Sequence, residues 1–177
     1  MKMGICNQLK IDWKRNSKKS FIILFFYRLC HTSYKNKNKF LLYFFLFLKS
    51  IVFWLLRIDA WIEYEAEIGS NIRLPHSGNG LVISRFSRIG NNVTIFHQVT
   101  LGVNESLPIN ERYISISDNC YISVGAKIIS CSIGERCKIA PNAVVRKNTP
   151  PNSLVYSENS LKQIIYEKES NDSSSDK

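Results

Sequence analysis

Aliphatic residues recur at every sixth position through the second half of this chain. They stand at Ile83, Ile89, Ile95 and Leu101, and again at Ile116, Ile122, Ile128, Ile133, Ile139 and Val145. Ile62, Ile68 and Leu74 extend the series backward, and one five-residue step interrupts it before Ile133. A period of six fits neither a helix nor an alternating strand. It predicts a chain that turns a corner after each short strand, so that stacked coils bury an aliphatic ladder.

Two apolar runs, Phe21 to Leu29 and Phe40 to Leu56, precede the repeats, and basic residues flank each of them. A membrane-spanning helix needs about 20 apolar residues, and Lys49 and Ser50 interrupt the second run, so spanning is marginal. A secretory signal would need small residues at a cleavage site after the run. Two interpretations are favoured: an arm packed on the body or on other subunits, or an arm that also lies against the inner face of the membrane, where its bases attract anionic headgroups.

Charge divides the chain in the same place. Residues 1–60 carry twelve Lys and Arg against two acids, and residues 61–177 carry twelve of each, so the whole net charge of +10 lies in the arm. We predict three parts: an N-terminal α-helical arm at 1–60, a repeat domain at 61–155, and a C-terminal segment at 156–177 that is disordered from about residue 168.

The five cysteines are odd in number and form no C-x-x-C pair, which argues against a disulfide framework or a zinc knuckle and favours a reducing, cytoplasmic setting. Nucleic acid is not an expected partner, because the bases interleave with apolar helix and not with a polar, aromatic surface. A zinc enzyme built on such repeats would need three histidine ligands, and the repeats contain two. We therefore expect no metal.

Two histidines in the repeats are the candidates for chemistry. His76 follows an inward aliphatic by two residues and precedes Ser-Gly-Asn-Gly, where the period slips by three residues, which predicts a bulge that re-aims the side chain. Leu74 and Ile95 are 21 residues apart, and removal of the slip leaves 18, one coil of three hexapeptides, so His97 should stack on His76. An imidazole titrates in the range that suits proton transfer from a hydroxyl. His31, in the arm, is expected on the surface of a helix.

The segment from about Ile62 to Val155 resembles the hexapeptide-repeat acyltransferases, most closely serine acetyltransferases and their relatives encoded with capsule and lipopolysaccharide genes. The residues that carry the resemblance are Ile68-Gly-Ser-Asn-Ile-Arg-Leu-Pro-His76 and Ile89-Gly-Asn-Asn-Val-Thr-Ile-Phe-His97-Gln-Val-Thr-Leu-Gly102. The resemblance implies a mainly β protein, a left-handed parallel β-helix of hexapeptide repeats with three per coil, assembled as a homotrimer or a higher oligomer. It also implies acetyl-CoA as co-substrate and His76 as the general base.

In this family acetyl-CoA, the acetyl donor, is bound by backbone groups along the β-helix. The positions that the resemblance assigns to the pantetheine slot are Gly102, Ser123, Gly125 and Ala126, and those assigned to the nucleotide phosphates are Arg146 and Lys147. At position 97 serine acetyltransferases tend to carry an amide and glycan-modifying relatives often carry His. His97 is therefore implied as an acceptor-binding residue or an alternative base.

Three positions that are implicated in serine recognition in the family hold different residues here. Pro75 and Trp61 replace two aspartates, and Tyr113 replaces a histidine beside the retained Arg112. A sugar hydroxyl needs no such charges, only hydrogen-bonding and stacking surfaces such as Tyr113, Trp61 and Phe96 offer. We therefore expect acetyl transfer to a bacterial surface glycan, a capsule or lipopolysaccharide sugar, with Trp61, Arg112 and Tyr113 as acceptor-binding residues. The alternatives are a serine O-acetyltransferase of cysteine biosynthesis and a non-catalytic solenoid scaffold at the membrane.

Overall fold

The computed structural model describes residues 4–157, in which helices are followed by short strands. The helices are α1 (Ile5–Arg15), α2 (Lys18–Lys35) and α3 (Lys39–Leu56). The strands are β1 (Ala60–Ile62), β2 (Glu67–Ile68), β3 (Leu81–Ile83), β4 (Ser87–Ile89), β5 (Thr94–Ile95), β6 (Thr100–Gly102), β7 (Ile114–Ile116), β8 (Tyr121–Ile122), β9 (Lys127–Ile129), β10 (Ser132–Ile133), β11 (Lys138–Ile139), β12 (Val144–Val145) and β13 (Leu154–Val155). Short 3-10 turns lie at Pro75–Gly78 and Ile109–Glu111. The tail predicted to be disordered from about residue 168 lies outside the described residues.

The strands form three parallel sheets. Sheet A contains β1, β3, β6, β9 and β12 in spatial order, sheet B contains β2, β4, β7 and β10, and sheet C contains β5, β8, β11 and β13. The chain visits sheets A, B and C in turn, and each strand pairs in parallel with the strand one coil away. The chain therefore winds as a β-helix, as the period of six predicts.

The predicted ladder fills the interior of the β-helix. All thirteen aliphatics of the series are buried, and none exposes more than 8% of its surface. The register stacks them directly, as in the column Ile83, Leu101, Ile128 and Val145 of sheet A. Burial of one such side chain contributes roughly 1.5–3 kcal/mol relative to exposure, so the ladder is the main stabilising element of this domain.

Asparagine supplies left-handed backbone at several corners of the coil. Asn71, Asn92 and Asn119 have φ angles of 58°, 57° and 61°, and their side chains form a ladder of Nδ2–Oδ1 hydrogen bonds of 2.6 and 3.2 Å. The glycines that follow the aliphatics have another cause: a Cβ on Gly69 or Gly90 would lie 2.5 or 2.8 Å from backbone atoms of the next coil. These two positions require glycine because close approach between coils leaves no room for a side chain.

α1 and α2 cover the first coil, whose backbone groups would otherwise lie unpaired at the edge of the sheets. Tyr27 Oη donates to the carbonyl of Ala66 (2.8 Å) and accepts from the amide of Ile68 (3.1 Å). Arg28 donates to the carbonyls of Ile68 (2.7 Å) and Gly69 (2.6 Å). Both side chains are buried on α2, so this helix satisfies the edge while it packs against it.

A buried ion pair fixes α1 on α2. Arg28 Nε lies 3.2 Å from Asp12 Oδ2, and both residues are buried. Burial raises the pKa of the Asp12 carboxyl, and the charge of Arg28 opposes that shift. At the end of α1, the side chain of Asn16 donates to the carbonyl of Ile72 (2.8 Å) and accepts from the amide of Leu74 (2.7 Å). The arm is therefore joined to the β-helix by polar as well as apolar contacts.

His31 is not the plain surface residue that the sequence suggests. Its Nδ1 lies 2.8 Å from the carbonyl oxygen of Tyr64, and its ring stacks on Tyr27 with centroids 5.5 Å apart. Partial burial lowers the pKa of His31, and the nearby charges of Lys35 and Arg28 lower it further against the opposing hydrogen bond to Tyr64. The expected surface position is wrong because the side of α2 that carries His31 packs against the first coil.

α3 packs antiparallel on α2 and leaves one face open. The ring of Phe53 contacts Phe26 with centroids 6.1 Å apart, and Leu42 is the one buried residue of α3. Among the described helices, α3 alone is long and apolar enough to cross a membrane, with a mean hydropathy of 1.9 and 6% of its residues buried. We call the open side the apolar face of α3; it consists of Phe40, Tyr43, Phe44, Phe47, Ile51, Trp54 and Leu55.

Candidate active site

His76 lies in a left-handed turn where the chain passes from sheet C to sheet A. The turn spans Pro75–Gly78, and His76 and Ser77 have φ angles of 53° and 61°. The three extra residues form a left-handed turn and not the predicted β-bulge. Such a backbone conformation costs about 1–3 kcal/mol at a non-glycine residue.

His97 lies one coil away from His76, as the count of residues predicts. A parallel bridge pairs Arg73 with Thr94, which brings the residues that follow them into register. The two imidazoles meet edge to face, with ring centroids 4.9 Å apart and planes at 69°. They therefore form a single pair at one corner of the β-helix.

An aromatic ring packs beside this pair, and one ring nitrogen of the pair lacks a hydrogen-bond partner. The ring centroid of Phe96 lies 5.9 Å from that of His76 and 5.2 Å from that of Tyr121. His97 Nδ1 is buried and has no hydrogen-bond partner among the described residues. An unpaired buried polar atom costs about 1–3 kcal/mol, and such atoms are typical of sites that a ligand or water completes.

The outer face of sheet A begins at this corner. Residues that directly precede the inward aliphatics stack in register along it: Trp61, Val82, Thr100, Lys127 and Val144. Lys127 Nζ donates to the carbonyl of Gly125 (2.9 Å). Sequence reasoning missed Val82, Thr100 and Lys127, although their position one residue before an inward aliphatic predicts that they face outward.

The predicted donor-binding residues Gly125, Ser123 and Gly102 lie along both edges of this face. The amide of Gly125 donates to the carbonyl of His97 (3.2 Å), which joins it to the histidine pair, and Ser123 lies at the same corner. Gly102 ends β6 at the opposite edge, where a Cβ would lie 3.3 Å from the Ile129 side chain. The register of sheet A places Arg146 beside Ile129, so Arg146 and Lys147 follow at the edge that holds Gly102, and both are exposed.

Ala126 does not line this face. Its side chain is fully buried inside the β-helix, its amide donates to the carbonyl of Ser123 (3.3 Å), and its carbonyl accepts from the amide of Thr100 (3.0 Å). The assignment of Ala126 to the pantetheine slot is wrong, because this residue stands two positions before an inward aliphatic and points inward with it.

Arg112 and Tyr113 lie in the loop between β6 and β7, at the edge of sheet A away from the histidines. Arg112 donates to the carbonyls of Leu107 (2.8 Å) and Glu105, so its guanidinium closes its own loop. Tyr113 is exposed at the end of that loop. Within one chain, the structure therefore does not bring these two residues to the histidine pair.

A cavity lies away from the histidine pair. Its volume is about 1050 Å³, and it is lined by α1 and α2 on one side and by sheet B on the other. Three Lys and Arg side chains line it: Lys35 and Arg88 are paired with Glu67, at 2.9 and 3.8 Å, and Arg28 is paired with Asp12 at 3.2 Å. Among the described residues no group of three His, Cys, Asp or Glu side chains could hold a metal ion. The candidate active site is therefore the histidine pair with the outer face of sheet A.

Known proteins share both the sequence and the fold of this region. No family model matches the chain. A serine acetyltransferase of Bacillus subtilis is 36% identical over 132 residues, which cover 73% of this chain and 57% of that protein. A serine acetyltransferase of Helicobacter pylori is 32% identical over 130 residues, which cover 72% of this chain and 71% of that protein. The chain belongs to the serine acetyltransferase family. It spans little more than half the length of the Bacillus relative.

Solved structures of serine acetyltransferases agree with the architecture. The crystal structure of the Neisseria gonorrhoeae enzyme in complex with serine aligns with a TM-score of 0.67 and 29% identity, over 85% of this chain and 64% of that chain. The Brucella abortus enzyme in complex with coenzyme A aligns with a TM-score of 0.64 and 30% identity, over 78% of this chain and 54% of that chain. The predicted fold class, a left-handed parallel β-helix with an N-terminal α-helical arm, is confirmed.

Within the serine acetyltransferase family, this chain differs at the two positions where the resemblance implies aspartates that recognise the acceptor. Pro75 and Trp61 stand there instead. Pro75 opens the left-handed turn directly before His76. Trp61 exposes 61% of its surface, donates from Nε1 to Glu63 (2.9 Å), and has its ring 5.8 Å from Lys49 Nζ. Neither residue supplies a charge, so these two positions offer stacking and shape in place of a carboxylate.

Proposed function

We propose that this chain is an acetyl-CoA-dependent O-acetyltransferase and that His76 is its general base. The observation that carries the proposal is the contact of His76 with His97 at the edge of an outward face flanked by Gly102 and Gly125. A scaffold would not need two imidazoles in contact and a buried ring nitrogen without a hydrogen-bond partner in one corner. Membership of the serine acetyltransferase family supports the same reaction.

The proposed reaction is a direct transfer. His76 accepts the proton of the acceptor hydroxyl while that oxygen attacks the thioester carbonyl carbon of acetyl-CoA. The tetrahedral intermediate collapses, the carbon–sulfur bond breaks, and the departing thiolate takes the proton from the imidazolium. The products are the O-acetyl ester and free CoA, and His76 returns to its neutral form. His97, in contact with His76, is placed to hold the acceptor hydroxyl or to orient the base.

In this proposal the donor lies across the outer face of sheet A. The Brucella abortus relative is solved in complex with coenzyme A. In this chain the backbone of Gly125 lies at one edge of the face and that of Gly102 at the other, where backbone groups can hold an extended pantetheine arm. Arg146 and Lys147, exposed at the Gly102 edge, supply the positive charge that suits the nucleotide phosphates.

L-Serine is the acceptor that the comparisons favour, and we propose it first. The Bacillus subtilis and Helicobacter pylori relatives are serine acetyltransferases, and the Neisseria gonorrhoeae structure contains serine. Arg112, the retained residue of the acceptor motif, lies in the loop after β6 with its guanidinium turned toward loop carbonyls. A serine carboxylate could bind Arg112 only through the guanidinium N–H groups that do not donate to these loop carbonyls.

A sugar hydroxyl is the second candidate, because the positions that read serine have lost their charges. Pro75, Trp61 and Tyr113 stand where the family pattern has two aspartates and a histidine. The exposed Trp61 ring is the kind of surface on which a sugar stacks. A capsule or lipopolysaccharide sugar, the acceptor that the sequence suggests, is a proposal on this ground.

Release of the CoA thiol by the purified full-length chain tests the proposal. We expect acetyl-CoA cleavage that requires an acceptor, with the O-acetyl product identified by mass spectrometry. Saturable turnover with L-serine supports the first acceptor, whereas turnover with neutral or acidic sugars and none with L-serine supports the second. No acceptor-dependent release and no binding of CoA would contradict the enzyme and favour a scaffold.

Assembly and location are part of the same proposal. A homotrimer or a higher oligomer rests on the family resemblance, and sedimentation equilibrium of the full-length chain measures it. A cytoplasmic location rests on the five cysteines, which are all free thiols in the structure.

A further inference from the structure

We propose that the apolar face of α3 docks this protein onto an anionic lipid bilayer, with the helix lying in the plane of the membrane surface. The face is widely open: Phe40 exposes 83% of its surface, Phe47 67% and Trp54 79%. Its residues recur at helical spacing, so they form one continuous stripe. Contiguous aromatic and aliphatic stripes of this kind are not left to water on soluble surfaces, and they mark an interaction site.

The apolar face of α3 carries few polar groups. Ser50 Oγ donates to the carbonyl of Leu46 within the helix (3.0 Å). Lys49 turns toward the body, where its Nζ lies 5.3 Å from the Phe53 ring centroid and 5.8 Å from that of Trp61. The polar groups of the face itself are the Tyr43 hydroxyl and the Trp54 indole N–H, both on exposed side chains. Tyrosine and tryptophan are the aromatic residues enriched at the level of the lipid headgroups, where one end of the ring is wet and the rest is apolar.

Basic residues bracket the face at both ends. Lys37 and Lys39 are exposed where α3 begins, and Arg57 is exposed where it ends. Because α2 runs antiparallel to α3, the exposed Lys18 and Lys19 lie toward the Arg57 end. A second copy of the face would meet like charges in either orientation, whereas an anionic leaflet meets opposite charge at both ends.

The contacts of α2 exclude a spanning orientation of α3. Eighteen residues of helix are about 27 Å long, close to the roughly 30 Å of a bilayer core. A spanning α3 would place α2 and the β-helix on opposite sides of the membrane. The hydrogen bonds of Tyr27 and Arg28 to Ala66, Ile68 and Gly69 would then be lost. With α3 flat on the surface, all of these bonds are kept.

Vesicle sedimentation of the full-length protein tests the proposal. The probes are vesicles of phosphatidylglycerol mixed with phosphatidylcholine, and vesicles of phosphatidylcholine alone. We expect the chain to sediment with the anionic vesicles at low salt, with partial release by salt and a blue shift of tryptophan emission. Lys37→Gln/Lys39→Gln/Arg57→Gln should weaken binding roughly 100-fold, since each base near an anionic leaflet contributes roughly five-fold.

Matched variants separate the apolar contribution from damage to the fold. Phe47→Ser/Trp54→Ser should abolish sedimentation while the thermal midpoint stays unchanged, because both side chains are exposed. Leu154→Ser and Lys138→Gln, exposed positions on the last coils, are the controls and should bind as the parent does.

Two results would overturn the proposal. The first is a chain that stays in the supernatant at low salt or binds neutral vesicles equally well. The second is a Phe47→Ser/Trp54→Ser variant that sediments unchanged with vesicles but has a lower molar mass by light scattering, which would make the face an interface between copies of this chain. Neither readout involves acetyl transfer, so the proposed function stands or falls separately.

Discussion

α2 and α3 are alike in length and in apolar character, yet one is covered and the other is open. Each has 18 residues, and the two pack as a hairpin. Eight residues of α2 are buried, and one residue of α3. Hydropathy does not explain the difference, because α3 is the more apolar helix.

Hydrogen-bonding capacity separates the two helices. The first coil presents backbone groups that need partners, and α2 supplies them from Ser20, Tyr27 and Arg28. No side chain of α3 bonds the backbone of the first coil in the described structure, and its Ser50 bonds the backbone of its own helix. An apolar helix can cover a strand edge only if it also satisfies the backbone polar groups there. The α3 face is therefore suited to a partner that is itself apolar.

The largest effect that we expect from this difference is at Arg28. Arg28→Met leaves the Asp12 carboxylate buried without its partner, so the free energy of unfolding should fall by about 3–5 kcal/mol. Lys49→Met is the matched change on α3 and should alter it by less than about 1 kcal/mol, because Lys49 has no ion pair in the described structure. Urea titration measures both. Equal losses of unfolding free energy in Arg28→Met and Lys49→Met would contradict the proposed difference between α2 and α3.

A smaller effect is expected at the tyrosine hydroxyls. Tyr27→Phe removes the group that bonds Ala66 and Ile68, and leaves both backbone groups buried, which should cost about 1–3 kcal/mol of unfolding free energy. Tyr43→Phe, on the exposed face of α3, should stay within about 0.5 kcal/mol of the parent. Thermal unfolding of the two variants side by side checks this. A Tyr27→Phe variant as stable as Tyr43→Phe would remove hydrogen bonding as the cause.

The smallest effect is a pH dependence carried by His31 on α2. Its pKa in the folded chain is lowered from 6.5, chiefly by burial, so the folded state binds its proton less readily than the unfolded state. Stability that is complete above about pH 6.5 should therefore be lost as the pH falls through the lowered pKa. The fall in thermal midpoint on acidification should be smaller in His31→Gln than in the parent. Identical pH profiles would show that His31 contributes nothing to the docking of α2.

The repeat domain could be predicted almost completely from the sequence. Burial of Ile62, Ile128 or Val145 depends only on a position in the six-residue period, and all of them lie where the period places them. The stacking of His97 on His76 follows from the same count once the three extra residues are removed. The burial of Ala126 could have been predicted too, because Cys120 and Cys137 share its place two residues before an inward aliphatic and are also buried.

The fates of the two apolar runs could not be predicted in this way. The bonds of Tyr27 and Arg28 to the first coil join residues about forty positions apart, and no periodicity specifies such pairs. Each run therefore looked equally able to pack, to lie on a membrane or to join subunits. The left-handed turn at His76 was missed for a related reason, since three extra residues can be absorbed by several backbone conformations and the sequence does not select one.

Turnover of a His76 variant tests the proposed chemistry most directly. His76→Asn removes the base, and asparagine tolerates the left-handed backbone that this position requires. We expect kcat to fall by about 10²–10⁴ while CoA affinity and the thermal midpoint are unchanged, because the role of His76 is proton transfer. His97→Gln, which keeps a hydrogen-bonding side chain of similar reach, should lose less. A His76→Asn variant that keeps more than about a tenth of the parent kcat, beside an inactive His97→Gln, would contradict the assignment and move the base to His97.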